Sequence, residues 1–409
     1  MDMINYVDTV WMLIATALVM IMTPTLAFFY GGLVRKKNVL SVLMQTYVIL
    51  SVVSIQWILI GYSLAFGPDL GGVIGYLNYA ALTGVGMDPI KGQTIPQQVF
   101  VLFQMMFAVI TPALIIGAFI ERIKFSGFVV FTLLWTTLIY DPMAHWVWSS
   151  DGWLAKLGAL DFAGGTVIHI LAGISALIMA LCLGKRTGMT TGHAPHNLPL
   201  AVLGAGFLWF GWFGFNAGSA LSVGPVTVSA FLNTNTAAAA AAITWMILDW
   251  IENKVPTVLG VITGIVAGLV AITPAAGYVK PMAAIVIGAC GSIFGFIFVT
   301  KIKAQFGYDD SLDVFGVHGI AGIVGALATG LFATKQINPG GANGLFYGNP
   351  KQFLIQGLAV AVAVVFSAVG TFIIFKVVDV VIGLRVDNDD EYIGLDLTQH
   401  HEAGYTLME

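Results

Sequence analysis

Charge is what this 409-residue chain has least of. Asp, Glu, Lys and Arg make up 9% of it, against about 25% in an ordinary soluble domain. With 58% hydrophobic residues and a mean hydropathy of +0.90, so few charges do not cover a water-facing surface, and a soluble protein is close to excluded. A net charge of −4 argues against a nucleic-acid partner, which needs a basic face. Cysteine is scarce as well. Cys182 and Cys290 both lie in apolar runs, so there is no disulfide framework, CxxC pair or structural zinc site. No metal or other cofactor is expected. Glycine, by contrast, is plentiful at 48 residues, which suits membrane helices in close contact.

A membrane-spanning helix needs about 20 mostly apolar residues. Eleven such runs occur, centred on 10–30, 42–64, 99–119, 127–147, 162–183, 198–217, 228–250, 257–273, 282–299, 314–332 and 353–382. Twelve Lys and Arg fall on one side of this alternation, among them Arg35, Lys36, Lys37, Arg122, Lys185 and Arg186, and five on the other. The positive-inside rule then predicts an external N-terminus and a cytoplasmic C-terminus. No positive charge precedes the first run, and Arg35, Lys36 and Lys37 follow it, as in an anchor helix rather than a cleaved signal peptide. The longest loop, about 65–98, is expected outside. The tail from Arg385 is acidic, with Asp387, Asp389, Asp390, Glu391, Asp396 and Glu402. Leu395, Leu397 and Tyr405 favour a tail docked on the protein's own basic loops or a partner over a disordered one.

His169-Ile-Leu-Ala-Gly-Ile174 matches His318-Gly-Ile-Ala-Gly-Ile323, and Asp161 and Asp310 each stand eight residues before a histidine. The copies lie in runs five and ten. Units of five spans have odd parity, so the halves are inverted, an architecture that places the functional site near the midplane between them. Residues 1–384 are read as the transmembrane domain, with repeats at about 8–190 and 198–335 and the eleventh helix at about 353–384. Residues 385–409 form the tail. Gly173 and Gly322, each four residues after a histidine, give each histidine a flat neighbouring face, so the two imidazoles can approach and share a proton. A lone histidine here is as readily a buried hydrogen-bonding group. A symmetry-matched pair favours function, and metal binding lacks a third ligand. Asp161 reads first as a helix cap, with a secondary role in favouring a cation at the outer mouth. Asp309, Asp310 and Asp313 read as caps and dipole partners.

Phe103, Phe107, Trp148, Trp212, Phe215 and Ser219 belong to segments ending on the predicted outer side. An interfacial aromatic belt and an aromatic box for a small cation both fit them. A hydroxyl acceptor from Ser219 adds to the second.

The sequence resembles the ammonium transporter (Amt/Mep/Rh) family, of bacterial and archaeal Amt type, over essentially its whole length. The resemblance is carried by Asp161-Phe-Ala-Gly-Gly165, Val167-Ile-His169, Gly184-Lys185-Arg186, the stretch Thr23 to Gly32, Trp209 to Ser219, Asn233 to Ala237, Ile272 to Gly277, and Phe306 to Asp310 through His318-Gly319. It implies a multi-pass protein of the cell membrane that assembles as a homotrimer with one pore per subunit. It also implies an outer ammonium site at Phe107, Trp148 and Ser219, with Asp161 and Phe103 as its structural support, and a gate of stacked Phe107 and Phe215. The pore below would be lined by His169, His318 and Trp212. The stretch from Ile393 to Asp396, His401, Glu402 and Tyr405 resembles the family's regulatory tail, which in bacterial and archaeal members faces a PII signalling protein. The sequence departs from the family at Ser149-Ser150-Asp151, where many members have glycines, and at His401, where glycine is usual.

Ammonium, with methylammonium as analogue, is the substrate this implies. A bare cation in hydrocarbon costs tens of kcal/mol by Born solvation and ammonia does not, so an apolar pore passes the substrate only if its proton is stripped or carried separately. Whether ammonia crosses alone or with a relayed proton stays open. The alternative is an ammonium sensor that signals through its tail with little flux. An intramembrane enzyme lacks any nucleophile and base at recognisable spacing.

Overall fold

The computed structural model describes residues 4–188 and 194–405. Residues 189–190 of the first expected repeat and 406–409 of the tail lie outside the described residues. The apolar runs form helices α1 (Tyr6–Leu33), α2 (Lys36–Phe66), α3 (Gln97–Phe119), α4 (Phe125–Leu157), α5 (Gly165–Leu183), α6 (Leu198–Gly218), α7 (Pro225–Asn253), α8 (Val258–Ile272), α9 (Pro281–Phe306), α10 (Phe315–Phe332) and α11 (Pro350–Val381). Ten are long and apolar enough to cross a bilayer. The exception is α8, whose 15 residues reach only about 22 Å at 1.5 Å per residue and are followed by buried turns. At 32 residues, α11 extends to about 48 Å, well past a hydrocarbon core of about 30 Å. The chain is a multi-pass membrane protein. Two short helices, α12 (Asn388–Ile393) and α13 (Leu395–His400), form the tail.

The bundle is built around α3, in which every residue from Val99 to Phe119 except Leu102 is buried. Close approach elsewhere depends on glycine. Gly204, Gly211, Gly214 and Gly218 of α6 face α1, and a Cβ at Gly204 would lie 2.5 Å from the backbone N of Phe29. Small residues bring the two backbones together where lipid offers no hydrophobic drive for helix association.

The all-helical expectation gains one small addition. In the long loop, β1 (Asp69–Leu70) pairs antiparallel with β2 (Ile74–Gly75), with Asp69 opposite Gly75 and Leu70 opposite Ile74. Gly71 and Gly72 turn the hairpin at φ +68° and +78°, a region that costs other L-residues strain. The Asp69 carboxylate fixes the hairpin to α4, accepting from Gly72 N (2.7 Å) and meeting His145 Nε2 (2.9 Å).

Contacts between segments define two ends of the bundle. At one, here the mouth end, Asn5 N donates to Thr94 O (2.8 Å) and Trp148 Nε1 to Asp161 O (3.0 Å). At the other, the start of α2 and the loops after α3 and α5 meet the tail.

Candidate functional site

The paired histidines sit where the backbone leaves ordinary α-helical spacing. Residues Gly165–Ile170 and Phe315–Ile320 form π-helical turns opening α5 and α10. Such turns are rare and cluster at functional sites. Each follows an aspartate that satisfies the free N–H groups of the helix start. Asp161 Oδ1 accepts from Gly164 N (2.9 Å) and Gly165 N (2.7 Å), and Oδ2 from Thr166 N (2.8 Å) and Val167 N (3.0 Å). The loop reaches this geometry through Gly164 at φ +113°. Asp310 does the same more sparingly, accepting from Val314 N (3.1 Å) and Phe315 N (2.7 Å).

The two helices meet backbone to backbone. A Cβ on Gly173 would lie 2.1 Å from Gly319 N and 2.3 Å from Gly319 Cα. His169 and His318 thereby come to an Nδ1···Nδ1 distance of 3.2 Å, with rings 17° from parallel. Both are buried, at 1% and 3% exposure. One nitrogen of that contact donates and the other accepts, so a proton is shared between helices. Among the described residues His169 Nε2 has no hydrogen-bond partner. The small cavity beside them is lined otherwise by apolar and aromatic side chains, including Met22, Leu26, Ile110, Leu114 and Val266. Trp212 stacks on His169 at 5.4 Å and is itself fixed by Nε1 donating to Thr273 Oγ1 (2.8 Å).

Toward the mouth end, Phe215 borders this cavity and Phe107 borders the next, of about 150 Å³. Their two rings are in direct contact. They meet edge to face, 4.5 Å between centroids and 77° between planes, the arrangement favoured by the ring quadrupoles. Trp148 lies 5.8 Å from Phe107. Ser219 Oγ donates to Phe215 O (2.9 Å), which leaves its lone pairs for a donor in the cavity. Phe103 does not line the cavity. It stands behind Phe107 at 4.8 Å, against Gly218, where a Cβ would lie 2.8 Å from its ring. Asp161 stays behind Trp148, its oxygens taken by backbone N–H groups. The acid introduced at Asp151 is exposed and lies 3.6 Å from Lys156.

At the tail end, His318 borders a second cavity of about 310 Å³, so the pair stands between two wider spaces. Of the three aspartates read as caps, only Asp310 is one. Asp309 accepts from Arg186 through both oxygens (2.9 Å each), and Asp313 pairs with Lys303 at 2.5 Å. Sequence reasoning missed the resulting buried network. Arg186 also reaches Glu121 (2.6 Å), and Glu121 takes Arg35 Nε (2.9 Å) and Asn38 Nδ2 (2.8 Å). Burial works to raise the Glu121 carboxyl, but Arg186 and Arg35 more than offset it and hold it below the usual carboxylate range.

The tail docks on this network. Asp396 accepts from Leu40 N (3.1 Å) and Ser41 N (2.8 Å), Leu395 N donates to Asn38 Oδ1 (2.9 Å), and Glu391 takes Thr187 N (2.7 Å) and Arg385 Nε (2.8 Å). Of the three anchors expected from sequence, only Leu395 is buried. Leu397 is half exposed, and Tyr405 is held by its hydroxyl at His196 Nε2 (3.0 Å). His401 closes α13 at φ +57°, which explains why glycine suits this position.

Fold and site together define a polytopic membrane protein with an apolar track interrupted by one polar pair. The model of the Ammonium Transporter Family matches residues 10–405. The ammonium transporter of Bacillus subtilis is 52% identical over 399 residues, covering 97% of this chain and 98% of that protein. Among solved structures, Candida albicans Mep2 superposes with a TM-score of 0.92 at 35% identity, over 99% of this chain and 94% of that one. A sensor Amt protein superposes at 0.88 and 32% identity, over 97% and 98%. The chain belongs to the ammonium transporter family, whose members are transporters rather than enzymes.

Proposed function

We propose that this chain carries ammonium across the membrane by binding the ion at the mouth end, removing its proton and conducting ammonia along the apolar track. Family membership supports the substrate. The observation that carries the mechanism is the His169–His318 contact at 3.2 Å, a polar pair in walls that otherwise reject an ion. In this reading the mouth end is external and the tail cytoplasmic, in keeping with the Lys and Arg asymmetry. The ion rests against Phe107, Trp148 and Ser219, held by cation–π attraction and the Ser219 lone pairs. Asp161 and Phe103 keep that site in shape, and the edge-to-face Phe107 and Phe215 form the gate. Beyond it, desolvation removes tens of kcal/mol of hydration from a cation and little from ammonia. The histidines then line the path or relay the proton, with Trp212 fixing the His169 ring. The two halves are inverted repeats, three copies form a homotrimer, and the docked tail is the surface that a PII-type protein engages.

A second reading, a low-flux sensor, is favoured by the likeness to the sensor Amt protein together with a tail bonded to the start of α2 and to the loops after α3 and α5. Charge movement in proteoliposomes on an inward ammonium gradient, with potassium and empty-liposome controls, separates the readings. Transient positive current with ammonium alone means net charge transport. Internal alkalinisation without current means that ammonia crosses alone. Neither signal, in folded protein, refutes transport and leaves the sensor. His169→Ala and His318→Ala should alter the transported species, and Trp148→Leu should chiefly alter affinity and selection.

A further inference from the structure

We propose that two side-chain amides, Gln104 and Gln93, are ligands of the cation at the mouth end, making that site an oxygen-bearing cradle rather than an aromatic box alone. The proposal rests on the reading of the mouth-end cavity as the recruitment site. Both glutamines line the cavity with Phe107, Trp148 and Ser219. Among the described residues neither side chain makes a hydrogen bond, and Gln93 Oε1 is buried without a partner.

Gln45 Oε1 and Gln56 Oε1 are also buried without a partner, but every buried glutamine other than Gln104 makes at least one side-chain hydrogen bond. Gln356 accepts from Leu160 N (2.7 Å) and donates to Leu160 O (2.7 Å) and Ala326 O (3.1 Å). Gln56 donates to Asp141 (2.8 Å), and Gln352 to Gly158 O (2.9 Å). Gln104 is only 9% exposed. The Gln104 amide has no protein partner among the described residues and is open to the cavity, and the occupant of this cavity that the proposed function supplies is a cation with N–H donors.

Placement supports the role. Gln104 stands three residues before Phe107 on α3, on the same helix face one turn nearer the mouth, so an ion reaches it before the gate. Gln93 comes from the loop above, and that loop is fastened. Asp8 of α1 accepts from the hydroxyl of Thr94 and from Val223 N (2.8 Å), while Asn5 N donates to Thr94 O (2.8 Å). One carboxylate thereby holds the loop bearing Gln93 to the loop bearing Leu221, which lines the same cavity.

Ammonium directs four N–H donors tetrahedrally. Ser219, its own proton spent on Phe215 O, accepts one, Gln104 Oε1 and, once its amide turns toward the ion, Gln93 Oε1 accept two, and the ring faces of Phe107 and Trp148 receive the fourth. Neutral amides attract the ion without a full counter-charge, which would retain the cation at the step where it must lose its proton.

The test is the ammonium concentration giving half-maximal current or alkalinisation in proteoliposomes, measured with the maximal rate. Gln104→Leu should raise the half-saturating concentration about tenfold, the loss of one charge-assisted hydrogen bond, and change the maximal rate less than twofold. Gln93→Leu should raise it severalfold. Gln104→Glu, which keeps an acceptor and adds charge, should lower it and slow the maximal rate, and it decides the matter if the leucine variant does not fold. Both leucine variants within twofold of the parent, with Trp148→Leu shifted, would overturn the amide ligands and leave the outer site standing. Trp148→Leu also unshifted would remove the outer site with them. A Gln104→Leu variant changed only in maximal rate would overturn the proposal in favour of a structural role.

Discussion

Gly173→Ala tests whether backbone proximity sets the histidine pair. The added Cβ would lie 2.3 Å from Gly319 Cα and 2.1 Å from Gly319 N, where ordinary contact begins at 3.4 Å. Both neighbours are backbone atoms, so no side chain can rotate away, and α5 and α10 must separate by about 1 Å because steric repulsion rises steeply inside contact distance. His169 lies one turn from Gly173 and His318 adjoins Gly319, so the 3.2 Å Nδ1 contact opens to about 4 Å, beyond hydrogen-bond range. Overpacking of this kind costs about 1–3 kcal/mol in stability. Gly322, which follows His318 by the same four residues, supplies the control. A Cβ there meets Gly165 O, His169 Cβ and Ile170 Cγ1, all at 3.2 Å, and a shift of a few tenths of an ångström accommodates it. Ammonium-driven current and alkalinisation in proteoliposomes, alongside thermal stability in detergent, are the assays. Gly173→Ala should lose most of its flux or change the balance of current to alkalinisation, whereas Gly322→Ala stays near the parent. Parental transport by a folded Gly173→Ala protein would refute the claim that the close helix contact makes the pair functional.

Three further outcomes follow from the geometry. Asp161→Ala strands four buried N–H groups at about 1–3 kcal/mol each, so it should fail to accumulate as folded protein, read by fluorescence-detected size exclusion. Arg186→Ala leaves Glu121 and Asp309 without their shared cation, a loss of about 3–5 kcal/mol for a broken buried pair, and should release the tail, read by protease accessibility at 385–405. Burial holds His400 of the tail below the ordinary histidine range. The docked state therefore binds fewer protons than the free tail, and docking is lost as pH falls from about 6.5, the free-histidine value, toward the lowered one. Tail proteolysis should rise over that window, and His400→Gln should remove the dependence.

Much of the site was legible because its chemistry is local in sequence. Asp161 and His169 stand out from apolar surroundings, and their spacing recurs at Asp310 and His318 because each pair opens one helix. Gln104 could have been found by the same means, three residues before Phe107 on one face. Gln93 could not, since nothing in its loop shows that Asp8 holds that loop over the cavity. The caps proved divisible for a similar reason. Asp309 and Asp310 are neighbours in sequence, but only the fold brings Arg186 to one and the α10 N–H groups to the other. Leu397 looked like an anchor from hydrophobicity alone, which does not tell a buried face from an exposed one on a single-turn helix.

What the sequence determined by itself is the solvent and the run of apolar helices that meets it. Hydrophobic length, charge scarcity and the placement of Lys and Arg act residue by residue against the bilayer, so they can be read without a partner segment. Only the tertiary structure decided that His169 and His318, 149 residues apart, share a proton at 3.2 Å, that Phe107 and Phe215 meet edge to face, and that Glu121, Arg186 and Asp309 form one buried network beneath the tail. These are contacts between segments, set by which glycine faces allow two backbones to touch. Their energies depend on distances that no single stretch of chain contains.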